Sequence, residues 1–196
     1  MAKVKIEGNA SGTGTFTIQA PNSNTDRTLT LPDEAGTVLT SASDITAQAI
    51  GTIPVLEAVL TSNQTISGST FTTVQLDSVI LDNTSAWDGA NYKWVPQISG
   101  IYAVHGTVVG DATSGSTRII TAVAKNGTNS IVSDIEHSST GTTKGGSGIR
   151  YFSMNGTTDY ITLVGYIIGS GTIVFAGGTS GNGHSCRLSA HLIRTV

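Results

Sequence analysis

Along most of this chain β-branched residues alternate with Ser, Thr and Gly at every second position, and helical periodicity is nearly absent. A period of two puts alternate side chains on opposite faces of a strand, so the pattern commits the chain to sheets. Phe16 and Ile18, then Leu29 and Leu31, fall on one face of short strands, with Thr15, Thr17, Thr28 and Thr30 on the other. Residues 21–26 and 32–36, each opened by Pro, are loop and turn by composition, and Val38-Leu39 makes a third short strand. One thin apolar face is too little to hold such a segment folded alone; copies of itself or another protein must cover it.

Residues 43–50 carry the only helical pattern, with Ser43 or Asp44 as cap and a narrow stripe of Ile45, Ala49 and Ile50. About two turns are marginal in water. The segment is either a linker or a short parallel bundle on a symmetry axis. Gly51-Thr-Ile-Pro54 ends it, dividing the chain into an N-terminal β-rich segment, 1–53, and a larger domain, 54–196. In the latter, strands are expected at 71–81, 92–96, 100–109, 117–125, 130–137, 147–154, 160–168, 172–176 and 186–195. Gly-rich turns separate them at 111–115, 126–127, 138–146, 155–156 and 177–183; Asn-Gly pairs supply the positive φ of tight hairpins. Eight or nine strands at such regular spacing predict an all-β sandwich or jelly roll.

Composition excludes several functions. Charged residues make up 12% of the 196, too few for a disordered, self-repelling chain. With 10 Lys+Arg, a net charge of −3 and no basic stripe, the chain is not expected to bind nucleic acid. The lone Cys186 has no partner for an internal disulfide. The longest apolar run, 161–168, is far short of the ~20 residues of a membrane span, so no membrane insertion is expected. Nor does the N-terminus show a secretory apolar core, so synthesis in a cytoplasm is the expectation.

Catalytic spacing is missing. Neither a Gly-x-Ser-x-Gly elbow nor a phosphate-binding Gly loop occurs. His105, His137, His184 and His191 are scattered, and His184 has only Cys186 beside it, without a second pair to complete a zinc site. Asp33, Glu34, Asp77, Asp82 and Asp88 lie in or beside turns, where carboxylates cap amides. No enzyme activity, cofactor or metal is expected. Trp94 and Tyr102 are expected in the sandwich core or on a symmetry axis. Trp87, Tyr92 and His184 are the candidate residues for contact with a sugar or protein, because aromatic and polar groups on loops offer a rigid apolar face with a polar edge.

Two stretches resemble known families. Residues 14–40, with Arg27-Thr-Leu-Thr-Leu-Pro-Asp33 and Ala35-Gly-Thr-Val-Leu-Thr40, resemble a β-rich segment common in bacteriophage virion fibre proteins. Tyr92-Lys-Trp-Val-Pro-Gln-Ile-Ser-Gly-Ile-Tyr102, with Lys125-Asn-Gly127 downstream and Ser185-Cys-Arg-Leu-Ser-Ala-His-Leu-Ile193 at the end, is similar to the C1q/TNF-like jelly roll. The first resemblance implies a virion location, with Phe16, Ile18, Leu29 and Leu31 in particle attachment to other virion proteins. The second implies a homotrimer, preceded here by the β-hairpin segment and the short helix. Together they imply a non-enzymatic phage structural protein, a short trimeric tail fibre whose knob adheres to a glycan or protein of the host surface. A trimeric capsid decoration protein is the alternative, and a free carbohydrate-binding accessory is a third.

Overall fold

The computed structural model describes residues 11–15, 17, 22–26, 28, 53–178 and 185–196, without the side chains of 111, 113–114 and 137–143. Backbone packing divides the chain into two compact units, Met1–Ala42 and Ser43–Val196. In the first, the Thr25 amide donates to Ser23 Oγ at 3.1 Å, a local turn. The expected strand residues Phe16, Ile18, Leu29 and Leu31, and the expected helix at 43–50, lie outside the described residues.

The second unit is all β among its described residues. Its strands are β1 (Val55–Val59), β2 (Gln64–Ile66), β3 (Thr72–Thr73), β4 (Ser78–Asp82), β5 (Trp87–Asp88), β6 (Lys93–Trp94), β7 (Ser99–Lys125), β8 (Thr128–Asn155), β9 (Ile161–Gly169), β10 (Ile173–Phe175) and β11 (Arg187–Thr195). Strands β7 and β8 are the two arms of one long antiparallel hairpin, paired from Lys125↔Thr128 to Ser99↔Asn155. Asn126 (φ 50°) and Gly127 (φ 79°) close it. Positive φ at both central residues matches the right-handed twist of the arms, as the Asn-Gly pair predicts.

The hairpin folds over at its middle. Its register shifts between Asp111 and Ser116 and again between Ser116 and Arg118. Before the fold, β7 pairs with β11, and β11 with β1 and β1 with β4. Beyond it, β7 pairs with β9, which also takes β3 and β6. The arms therefore run through two sheets. The first is β4-β1-β11 with the N-terminal half of β7 and the C-terminal half of β8; the second is β9 and its short partners with the other halves. Strand β10 sits at the fold, bonded to β7 at residues 110–112 and to β2. This is a jelly-roll sandwich.

Alternation decides what fills it. Leu56, Tyr102, Val104, Val108 and Leu188 from one sheet meet Ile119, Val123, Ile161, Leu163 and Ile167 from the other. Trp94 and Tyr102 pack edge to face with centroids 5.4 Å apart, worth ~0.5–1.5 kcal/mol beyond area burial. The Tyr102 hydroxyl donates to the Ile98 carbonyl at 2.8 Å, and burial pushes its pKa up to about 12. Trp94 Nε1 is buried without a partner, a cost of ~1–3 kcal/mol that the packing must exceed. The Cys186 thiol is buried, donates to the Val109 carbonyl at 3.2 Å, and has its pKa raised by burial to about 12. It is a packing group and stays protonated.

Several expected boundaries are corrected. The 138–146 segment continues the β8 ladder, and 111–115 continues β7 through the fold. The expected strand at 71–81 is two strands, β3 and β4, while β1 and β2 arise where no strand was expected. Within the expected loop Gly146 serves close approach instead, since a Cβ there would stand 2.7 Å from Ser133 Oγ. At Gly148 a Cβ would press on the Val132 carbonyl, so glycine lets the two halves of β8 meet where the sandwich shuts.

Gly165 does the same inside the core, where an added Cβ would stand 2.5 Å from the Phe175 ring and 3.0 Å from Val108. Gly165→Ala should therefore lower unfolding free energy by ~1–3 kcal/mol, the cost of overpacking. Denaturant titration at fixed protein concentration checks this; an unchanged midpoint would mean that the Phe175 ring yields freely.

Candidate functional site

The outward positions of the first sheet form rows that its register defines. One runs Tyr151–Ala103–His191–Val55, and the next Ile149–His105–Ser189–Glu57–Leu81. Several members are large, apolar and wet: Tyr151 is 65% exposed, Ile149 57% and Leu81 46%. Ile193 on β11 adds to this face, and Ile131, also half exposed, lies on β8 at the edge of the second sheet. Strand β8 thus presents apolar side chains along an edge strand. Near the centre of the face, Glu57, His105, Thr107, Ser185, Arg187 and Ser189 line a hollow of about 310 Å³. An ion pair of 3.2 Å between Arg187 and Glu57 spans it.

The expected host-contact residues separate. Trp87 lies on β5 opposite Trp94 of β6, half-buried against the core. Its amide donates to Asp82 Oδ2 at 2.8 Å, and Asp82 Oδ1 also accepts from the Thr84 amide. Trp87 is therefore partly a core residue rather than a free loop aromatic. Tyr92 is half-buried in the β5–β6 turn at φ 52°, a conformation that non-glycine residues adopt at some cost. His184 lies outside the described residues, so the structure brings only Trp87 and Tyr92 into one hairpin. His105 is half-buried and His191 exposed, both on the outward face of the first sheet. Among the described residues, no three His, Cys, Asp or Glu side chains cluster as metal ligands.

At the closed end of the long hairpin, Asp159 ties three segments together. Its carboxylate meets Lys125 Nζ at 2.8 Å, Asn126 Nδ2 at 2.7 Å and the Asn155 amide at 2.9 Å. The Tyr160 amide donates back to Asn126 Oδ1 at 2.9 Å. Beside this knot, Asn91, Lys93, Tyr160 and Thr162 surround a second hollow, none of them a candidate from sequence. The outward parity of Lys93 and Thr162 was the available signal; that β6 and β9 are neighbours was not.

Comparison with known proteins gives fold and little else. No family model matches the chain, and no curated protein matches it. Among solved structures it is similar to the globular domain of zebrafish complement 1qA, at 9% identity over 73% of this chain and 99% of that one, with a TM-score of 0.50. A crystal structure of murine APRIL matches at 15% identity over 72% of this chain and all of the other, with a TM-score of 0.48. The strand topology and the likeness to the complement domain give the second unit a C1q-like jelly-roll fold, as the motif around Tyr102 implies.

The Asp159 knot makes acid sensitivity testable. The hydrogen bond from Lys125, then that from Asn126, holds the Asp159 carboxyl below its ordinary range. A lowered folded pKa contributes stability above the unfolded value of ~3.9, and the contribution fades as pH falls from there through the folded pKa. The stability difference between the wild-type protein and Asp159→Asn should accordingly be largest near neutrality and shrink below pH ~4. Melting curves from pH 7 to acid check this; a pH-independent difference would reject the ionic contribution.

Proposed function

We propose that the protein is a non-enzymatic, homotrimeric structural component of a phage virion, a short tail fibre whose jelly-roll knob contacts the host surface. The observation that carries the trimer is the wet apolar face of the first sheet, with Ile149 and Tyr151 at one side, Leu81 at the other and Ile193 near by. A monomer gains nothing from leaving such groups in water, and each apolar side chain fully buried is worth ~1.5–3 kcal/mol. In this reading the edge at β8 of one copy meets the outward face of the next, a heterologous contact that gives a trimer when its rotation closes into a ring of three. The fold likeness supports this reading, since C1q/TNF-like domains are trimeric. The virion assignment rests on the resemblance of residues 14–40 to phage fibre segments. In it, 1–53 binds other virion proteins and 54–196 faces outward, and the mature protein resides in the particle after synthesis in the host cytoplasm.

Light scattering should give three times 20.1 kDa for the wild-type protein, and Ile149→Asp with Tyr151→Lys should reduce it to a single copy. A wild-type mass of 20.1 kDa would overturn the trimer. Mass spectrometry of purified particles should find the protein at tens of copies; hundreds would favour capsid decoration, and absence from particles would reject both virion readings.

A further inference from the structure

The outward face of the second sheet holds the hollow beside the Asp159 knot, about 290 Å³ in volume. Thr73, Lys93 and Thr162 reach it as outward members of β3, β6 and β9, because their neighbours Val74, Trp94, Ile161 and Leu163 point into the core. Asn91, Gly127 and Tyr160 complete the lining. Lys93 Nζ lies 5.1 Å from the centroid of the Tyr160 ring and 3.7 Å from Asp88 Oδ2. We propose that this hollow binds a neutral saccharide, through hydroxyl contacts to Asn91, Lys93 and Thr162 and packing against Tyr160.

The chemistry of the lining selects that class. Both nearby ammonium groups already have a carboxylate, Lys93 with Asp88 and Lys125 with Asp159. The local charge therefore balances, and neither a phosphate nor a sulfate finds an unmatched cation. Hydroxyl, amide and ammonium groups break up the apolar surface, which disfavours a lipid or aliphatic ligand. A sugar both donates and accepts hydrogen bonds and offers C–H faces to a ring, which is what this mixture can serve. At about 290 Å³ the hollow is at the small end of ligand clefts, fitting a terminal sugar unit better than a long chain.

The site is built before any ligand arrives. Asp88 accepts from the Ala90 amide at 3.1 Å, the Asn91 amide at 3.2 Å and Asn91 Nδ2 at 2.8 Å, which fixes the turn holding Asn91. On the other side, Asn126 holds the backbone of Tyr160 through a pair of hydrogen bonds. Fixed side chains lose less entropy on binding. The hollow lies on the sheet opposite the face proposed for trimer contact, so three copies of it stay open on one knob, and weak single sites gain through multivalency.

This inference deepens the adhesive reading of the knob and rests on it for its biological role. The test uses the full-length protein, fluorescently labelled, on an array of immobilised neutral glycans ending in hexose, deoxyhexose or N-acetylhexosamine, with sialylated and sulfated glycans alongside, and in parallel on whole bacteria. Binding to at least one neutral glycan is expected, weakened at least ~10-fold by Asn91→Ala and by Thr162→Val. Circular dichroism and light scattering confirm that both variants keep fold and assembly. Preference for the acidic glycans, or neutral binding that both variants leave unchanged, would overturn the site. Bacterial binding with a silent array rejects the saccharide and spares adhesion; array binding without bacterial binding holds the site and rejects adhesion to those cells; silence on both rejects both.

Discussion

The folded hairpin of β7 and β8 is the constraint on which the second unit depends. Each arm supplies a strand to both sheets, so neither sheet is complete without the other. The arms stay paired on both sides of the fold, and the ladder is interrupted and shifted between Asp111 and Arg118, where the ribbon turns over. Strand β10 bonds to β7 at the fold, covering backbone groups that the turn would otherwise leave bare. The remaining strands follow from this frame. The first half of β7 needs an inner partner and receives β11, the second half receives β9, and β1 then closes on β11 from the far end of the unit. Such long-range pairing must meet its loop-closure entropy before most contacts form, which predicts slow folding for the size of the unit.

Small residues make the frame thin enough to close. Gly165 leaves room for the Phe175 ring, and Gly148 lets one half of β8 touch Val132 of the other. On the outward side of the second sheet, Ala122, Ala124 and Val164 form their own small buried cluster. Both sheets leave some large apolar groups in water, Ile131 and Phe71 at the second and Ile149, Tyr151 and Leu81 on the first. They differ at their centres: the second sheet buries a cluster of small apolar groups and sets a charge-balanced polar hollow beside it, and the first lines its hollow with the Arg187–Glu57 pair. This difference is what the two proposals rest on, another copy of the chain for the first face and a small polar ligand for the hollow on the second.

How much of this was legible in sequence depended on whether the signal was local. Period-two alternation gave the inward parity that places Trp94 and Tyr102 together at the core, and the Asn126-Gly127 pair gave its turn. Gly and Ser at 138–146 have the composition of a loop, yet Gly146 serves the approach of Ser133 from the other half of β8. Nothing nearby in sequence encodes that use. Strand β1 was hidden for a related reason: its five residues acquire a strand identity from pairing with β4 and β11. The candidate site divides along the same line. Trp87 and Tyr92 stood out as aromatics near a turn, but the hollow beside Asp159 draws Thr73, Lys93 and Thr162 from three separate strands. Only their common parity was visible in advance.

Charge scarcity connects the fold to the proposed assembly. A face bearing Ile149, Tyr151 and Ile193 would ordinarily be protected by surrounding charges that discourage association. Here charged residues are 12% of the chain, and the ionic groups on that face are partly spent on one another, as Arg187 is on Glu57. Burying a matched pair leaves no lone charge stranded in an interface, whereas an unmatched Arg187 would cost several kcal/mol there. The pair thus makes the polar centre of an otherwise apolar face compatible with coverage by a second copy. The proposed trimer links stability to protomer concentration, because the surface that one copy leaves wet would be removed from water only when others arrive. Under the proposed assembly the same linkage would separate the two faces in use: the first sheet committed once, when copies associate, and the second left open for reversible contact.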